Sequence, residues 1–174
     1  MATIETERLL LRPMVQGDSD ALLAVFSDPA VMAAFGVSPF GPAEMDRWVA
    51  RNLQHQADHG YGLFTVLLKE TSAVIGDCGL ERMDVGDELG YDLRSDHWNR
   101  GLATEAACAV RDYAFGTLRL PRLVSLIRVG NGASRRVAEK VGMRLVESSE
   151  RGGTAYWVFG LDAPSSPTAD VTVR

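Results

Sequence analysis

The residues of this 174-residue chain best suited to chemistry are the run His97-Trp98-Asn99-Arg100-Gly101-Leu102-Ala103-Thr104-Glu105-Ala106, set between a strand-like and a helix-like segment. A turn at that place leaves the first backbone N–H groups of the helix pointing outward, where they and the helix dipole attract a phosphate. Gly101 lets a ligand approach the backbone closely, and Arg100 adds positive charge. The run is neither G-x-x-x-x-G-K-[ST] nor G-x-G-x-x-G, which argues against P-loop hydrolysis and Rossmann dinucleotide binding. Charge is segregated around it. Between Gly90 and Leu145 ten basic residues face five acids, whereas Asp77 to Asp92 holds six acids against Arg82 alone. The first segment suits a polyanion and the second a cation, although both also read as solvated faces of ordinary helices and loops.

Other reactive side chains reduce to structure. His55 and His59 lie four apart, a spacing that can put two imidazoles on one metal, but no third ligand and no H-E-x-x-H accompany them, so no metal is expected. Cys78 and Cys108 form neither a disulfide framework nor a zinc-ribbon spacing and read as reduced, buried thiols. A formal net charge of −5 argues against general affinity for nucleic acid. The N-terminus carries no basic region followed by an apolar stretch, and no run approaches the length of a membrane span, so the expectation is a cytoplasmic protein without a membrane partner.

The elements that must position the turn follow from periodicity. Ile4 to Met14 reads as an edge strand closed by Pro13, and Asp18 as the N-cap of a helix over Ser19 to Ser27 that Pro29 breaks. Gly41 and Pro42 open an amphipathic helix carrying Met45, Trp48, Val49 and Leu53 and ending at Gly60. Tyr61–Leu68, Ala73–Met83 and Glu88–Leu93 read as an antiparallel meander. Gly101–Gly116 is a helix with an alanine-rich face, Leu123–Val129 a strand, Ser134–Val141 a helix ended by Gly142, and Met143–Ser148 and Thr154–Leu161 the last strands. The order predicts a mixed α/β or α+β domain over 1–163, with a disordered tail over 164–174.

Several moderate motifs in this order resemble a known family, the GNAT superfamily of acetyl-CoA-dependent N-acetyltransferases, in its RimJ/RimL-like branch that includes ribosomal-protein N-terminal acetyltransferases. They are Glu7-Arg8-Leu9-Leu10-Leu11-Arg12, Ile75-Gly76, Glu88-Leu89-Gly90-Tyr91, the run from Trp98 to Ala106, Tyr113-Ala114-Phe115, Asn131 with Ser134, and Glu139-Lys140-Val141-Gly142-Met143. The resemblance covers nearly the whole chain. It implies a mostly antiparallel twisted sheet, splayed at the cofactor site, with helices on both faces. It implies that Arg100, Gly101, Leu102, Ala103 and Thr104 contact the pyrophosphate of acetyl-CoA. Asp92, Leu93 and Arg94 would be the strand that pairs with the pantetheine arm, and Asn131 and Ser134 would contact that arm near its sulfur. Asn99 stands where this branch has Gly, and Asn tolerates the unusual backbone angles such a turn needs. Ala138 stands where many members carry a tyrosine that protonates the thiolate.

Acetyl transfer to an amine needs a neutral nitrogen, a polarised thioester carbonyl and a proton for the departing thiolate. An amine of pKa ~8 or ~10 is mostly protonated at neutral pH, so a carboxylate acting directly or through water is useful. Glu88, beside the strand that resemblance assigns to the thioester, is the first candidate base, with a solvent-facing or Arg-paired carboxylate as its plain alternative; Glu81 is the second. Ser134 is the candidate acid, with a helix-start hydroxyl bonded to backbone as its alternative, and Tyr156 is the weaker acid candidate. Phe35, Phe40 and Trp48 would wall the acceptor site, or else be core. The reading is direct transfer from acetyl-CoA to a primary amine of a small molecule or protein N-terminus in a ternary complex. A catalytically silent acyl-CoA sensor and a coenzyme-free structural module stay open as alternatives. The oligomeric state is left open, with a homodimer among the options.

Overall fold

The computed structural model describes residues 1–164. The described residues form strands β1 (Ile4–Glu5), β2 (Leu9–Pro13), β3 (Leu63–Leu68), β4 (Ala73–Met83), β5 (Gly86–Leu93), β6 (Arg122–Arg128), β7 (Arg144–Arg151) and β8 (Thr154–Asp162). The helices are α1 (Ser19–Phe26), α2 (Pro29–Met32), α3 (Pro42–His59), α4 (Leu102–Gly116) and α5 (Gly132–Val141). The strands make one sheet in the order β1-β2-β3-β4-β5-β6-β8-β7. Every neighbouring pair is antiparallel except β5 and β6, which run parallel and pair only at Glu88 and Val124. Beyond that single pair the two strands diverge, and the gap between them is the feature that everything functional is built around. This is the mixed α/β, splayed-sheet architecture expected. The expected tail, beyond Pro164, lies outside the described residues.

Two apolar cores sandwich the sheet. On one face α4 lays Leu102, Ala106, Ala107, Val110 and Ala114 against Phe64, Val66, Cys78, Leu80 and Leu89, its alanines allowing close approach. On the other face Met45 and Val49 of α3 pack with Leu22, Val25 and Phe26 of α1 over Leu63. Pro42 and the left-handed Gly60 bound α3 as its sequence predicts. No helix of the described residues is long and apolar enough to cross a membrane.

The N-terminal segment departs from expectation. Ile4–Met14 is two strands, because the chain turns where Thr6 N–H reaches Leu9 O at 3.0 Å, and β2 is an inner strand between β1 and β3. Asp18 occupies the N-cap position of α1 but its side chain caps nothing there. Its carboxylate instead accepts from Arg12 Nη1 (2.8 Å), Val15 N (2.9 Å) and Thr65 Oγ1 (2.7 Å), tying β2 and β3 to the start of α1. Pro29 ends α1 but also opens α2 at its first position, where Asp28 accepts from Ala30 N at 2.8 Å.

Candidate active site

The divergence of β5 and β6 opens a cavity of about 460 Å³ whose walls are the end of β5, β6, the first turn of α4, α5 and the residues around α2. At one end, the turn before α4 is shaped by two positive φ angles, Asn99 at 58° and Gly101 at 79°. Asn is among the side chains that tolerate this region, which is how the turn forms without a second glycine. No side chain caps α4, so the N–H groups of Leu102, Ala103 and Thr104 are left for an external acceptor. Arg136 and Lys140, on one face of α5, line the same cavity and add positive charge. Free N–H groups, a helix dipole and two cations are what a polyphosphate arm requires.

A clamp remote in sequence holds this turn. Glu105 accepts from Thr6 Oγ1 (2.6 Å), Arg8 N (2.8 Å) and Arg8 Nε (2.7 Å), while Arg8 Nη1 donates to Arg100 O at 2.9 Å. Burial works to raise the Glu105 carboxyl, and the bonds from Thr6 and Arg8 override it, leaving it below its ordinary value. Glu105→Ala removes all of these partners at once. Because Arg8 is part-exposed, the expected cost is held to about 1–2 kcal/mol, a fall in Tm of about 2–8 °C in thermal unfolding. A melting temperature equal to wild type would show that the clamp does not hold the turn.

The middle of the cavity is the open edge of β5. Leu89 O accepts from Ser125 Oγ (2.7 Å) and Leu93 O from the Trp98 indole (2.8 Å), so both carbonyls point away from β4. Strand alternation turns the Tyr91 peptide groups the same way, and these are free to pair with an extended ligand. The Tyr91 hydroxyl crosses the gap and donates to Ser134 O at 2.8 Å, pinning α5 to β5. Asn131 caps α5 by accepting from Ser134 N at 3.1 Å, which leaves the Ser134 hydroxyl without a hydrogen bond among the described residues.

Glu88 sits at the apex of the splay. Its Oε1 accepts from Leu126 N at 3.0 Å, a β6 amide that faces the place where pairing stops, and one carboxylate oxygen is left over. Burial pushes its carboxyl up to about 7, against the lowering pull of the Leu126 N–H, with Glu81 across the hairpin adding to the rise. Asp92 lines the same wall and is raised by burial and by Glu88 and Glu81. Its register partner Asp77 is buried with Oδ2 unpartnered, and burial beside Asp92 raises it well above the ordinary range. Burial disfavours the charged form of Asp77, which opposes two negative charges side by side there.

Of the residues expected to form the site, Glu88, Asp92, Leu93, Gly101, Leu102, Ala103, Thr104, Asn131, Ser134, Tyr156 and Phe35 line this cavity. Arg100 turns its carbonyl to Arg8, Arg94 pairs with Asp96 at 2.7 Å, and neither lines the cavity. Trp48 packs on Phe26, ring centroids 4.8 Å apart, and Glu81 pairs in register with Glu88 outside the wall. His55 accepts from Arg82 N (2.8 Å) and faces Tyr61 O (3.1 Å), a bridge from α3 to the strands. Neither cysteine lines the cavity. Tyr91, Arg136 and Lys140 line the cavity without having been among the expected site residues; the i, i+4 spacing of Arg136 and Lys140 is readable in the sequence, whereas the role of Tyr91 depends on β5 meeting α5.

The chain matches a family model described as an acetyltransferase (GNAT) domain over residues 8–144. It is 36% identical over 138 residues to the uncharacterized N-acetyltransferase p20 of Bacillus licheniformis, covering 77% of this chain and 78% of that protein. A crystal structure of the acetyltransferase from Agrobacterium tumefaciens str. C58 superposes with a TM-score of 0.81 at 33% identity, covering 92% of this chain and 94% of that one. RimL, a ribosomal L7/L12 alpha-N-protein acetyltransferase solved in complex with coenzyme A, superposes with a TM-score of 0.77 at 18% identity over 92% of this chain and 98% of that one, a likeness of fold.

Proposed function

We propose, for a chain that belongs to the GNAT acetyltransferase family, that it moves an acetyl group from acetyl-CoA to a primary amine by direct attack in a ternary complex. The observation that carries this is one cavity joining an uncapped helix N-terminus, an open strand edge and a carboxyl held near neutrality. Bound acetyl-CoA would supply the acetyl thioester. The N–H groups of Leu102, Ala103 and Thr104, with Arg136 and Lys140, would hold its phosphates. The Tyr91 peptide groups would extend the pantetheine arm along β5. Glu88, ionised, takes the proton from the acceptor amine. The unengaged Ser134 hydroxyl, which stands beside Asn131 at the start of α5, gives a proton to the departing sulfur.

The RimJ/RimL-like assignment, a protein N-terminus or small amine as acceptor, a homodimer and a cytoplasmic setting belong to this reading. The two free thiols support a reducing compartment. The silent-sensor reading draws on Ala138, which is fully buried and offers no acid. It differs in one respect, binding without turnover. Thermal unfolding with acetyl-CoA, longer acyl-CoAs and ATP in parallel tests the proposal. At 100 times Kd, acetyl-CoA is expected to add about 2.7 kcal/mol, a Tm rise of about 5–11 °C, and ATP to add none. No shift with any CoA would remove the enzyme and sensor readings together; a shift without thiol release from an amine panel would leave the sensor.

A further inference from the structure

The acceptor half of the cavity carries a second charged group, of opposite sign to Glu88 and Asp92. Arg128 ends β6, and alternation along the strand sends it to the face opposite Ile127, which packs in the α4 core. Arg128 lines the cavity together with Val31, Ala34 and Phe35. Its guanidinium lies against the turn after α2. A Cβ on Gly36 would come 1.5 Å from Arg128 Nη1 and 2.3 Å from Cζ, so the head group occupies the place where any other residue would put its side chain. Gly36 also has φ +68°, so the position favours glycine twice. Among the described residues the Arg128 side chain makes no ion pair and no hydrogen bond, whereas Arg8, Arg12, Arg82, Arg94, Arg122 and Arg151 each pair with an acid.

A half-buried guanidinium with five N–H donors, seated against Gly36 and unpaired among the described residues, calls for an anionic acceptor. The phosphates of the donor would have their own partners in the N–H groups at the start of α4 and in Arg136 and Lys140 of α5. The carboxyls of Glu88 and Asp92 stand on the β5 wall, and Leu126, whose N–H bonds Glu88, is two residues before Arg128, a strand distance of about 7 Å. A site for a cation and a site for an anion therefore line one cavity.

We infer that Arg128, seated on Gly36, is the specificity residue that holds the carboxylate of the acceptor, and that the acceptor is a small free amino acid, bearing its primary amine and its carboxylate on one molecule. This rests on the acyltransferase reading above and narrows it. In the reaction, nitrogen forms a bond to the acetyl carbon as the carbon–sulfur bond breaks; the ammonium nitrogen sheds two protons, one to Glu88 and one that reaches the sulfur by way of the Ser134 hydroxyl, giving an N-acetylated amino acid and free thiol. A protein N-terminus presents an amide in place of the carboxylate and forfeits the paired, charge-assisted contact that a guanidinium makes.

The test compares kcat/KM, by thiol release from acetyl-CoA, for the twenty L-amino acids, β-alanine and 4-aminobutyrate against the amide of each. Wild type is expected to favour the acid over its amide by tenfold to a hundredfold for its preferred acceptor. Arg128→Ala is expected to bring that ratio near one through KM for the acid, with KM for acetyl-CoA unchanged, and Arg128→Lys to restore part of it. A wild-type ratio of one or below, or a ratio that survives Arg128→Ala, overturns the inference. Protection of the fold by acetyl-CoA with no thiol release from any acid or amide also overturns it while sparing the coenzyme reading. Loss of both protection and turnover defeats the reading on which it rests.

Discussion

Glu88→Gln is expected to lower kcat/KM by about 10²–10³ near pH 7.5 and, more tellingly, to change the shape of its pH profile. A base must be ionised, and burial has raised the Glu88 carboxyl to about 7. Wild-type activity should therefore fall as pH drops through about 7. Without the carboxylate, the rate depends on the fraction of amine that is already neutral, climbing about tenfold per pH unit until the amine's own pKa of ~8 or ~10. The variant and wild-type profiles should thus converge at high pH. Stability should move oppositely. The raised pKa means the folded state favours the protonated form, so its contribution is complete below the ordinary value of 4.5 and lost as pH rises through about 7. Gln keeps the neutral form and still accepts from Leu126 N–H, so the variant should melt higher than wild type at pH 8 and like it at pH 4.5. A variant profile parallel to wild type would end the assignment of Glu88 as base.

The parts of this site that depend on local grammar were legible. Pro42 and Gly60 bounded α3, and the Asn99 to Gly101 turn announced the free helix N-terminus, because capping and left-handed geometry are decided within a few residues. What escaped depended on partners distant in sequence. The break between β1 and β2 is a turn closed between Thr6 and Leu9, and the bond that holds this turn against α4 comes from Glu105, 99 positions from Thr6. Trp48 has the right spacing for either core or site, and only the arrival of Phe26 beneath it decides for core. Glu88 and Glu81 were both eligible as base from the sequence. The neighbouring of β5 and β6, whose contact at Leu126 spans 38 residues, puts the first at the apex of the cavity and leaves the second outside. Arg128 illustrates the same limit, since its place against Gly36 is a contact between β6 and the turn after α2.

Two glycines of the β4–β5 hairpin separate holding the cavity wall from shaping it. Gly76→Ala should be among the most damaging single changes in the chain. An added Cβ would lie 1.9 Å from Asp92 O and 2.9 Å from Leu93 Cα, both backbone atoms of β5. Neither can retreat freely, because Gly76 and Leu93 are register partners and Arg94 N–H is bonded to Ile75 O at 2.8 Å just beyond them. The only yielding direction is toward the gap with β6, which moves the wall bearing Tyr91 and Asp92 into the space where the donor arm would lie. Overpacking against fixed backbone predicts a loss of about 2–4 kcal/mol and a fall in Tm of about 4–16 °C, with acetyl-CoA protection reduced as well. Gly90, between Glu88 and Asp92 on the same strand, has nothing within 4 Å of the position a Cβ would take, so Gly90→Ala should leave Tm within about 2 °C of wild type. Its added methyl rises from the cavity floor beside the base, and kcat/KM should fall there without loss of fold. Thermal unfolding and thiol release measured on both variants separate the two effects. A Gly76→Ala protein that melts like wild type would mean that β5 can shift without cost, and that the rigid wall on which the positions of Glu88, Tyr91 and Asp92 depend is not rigid.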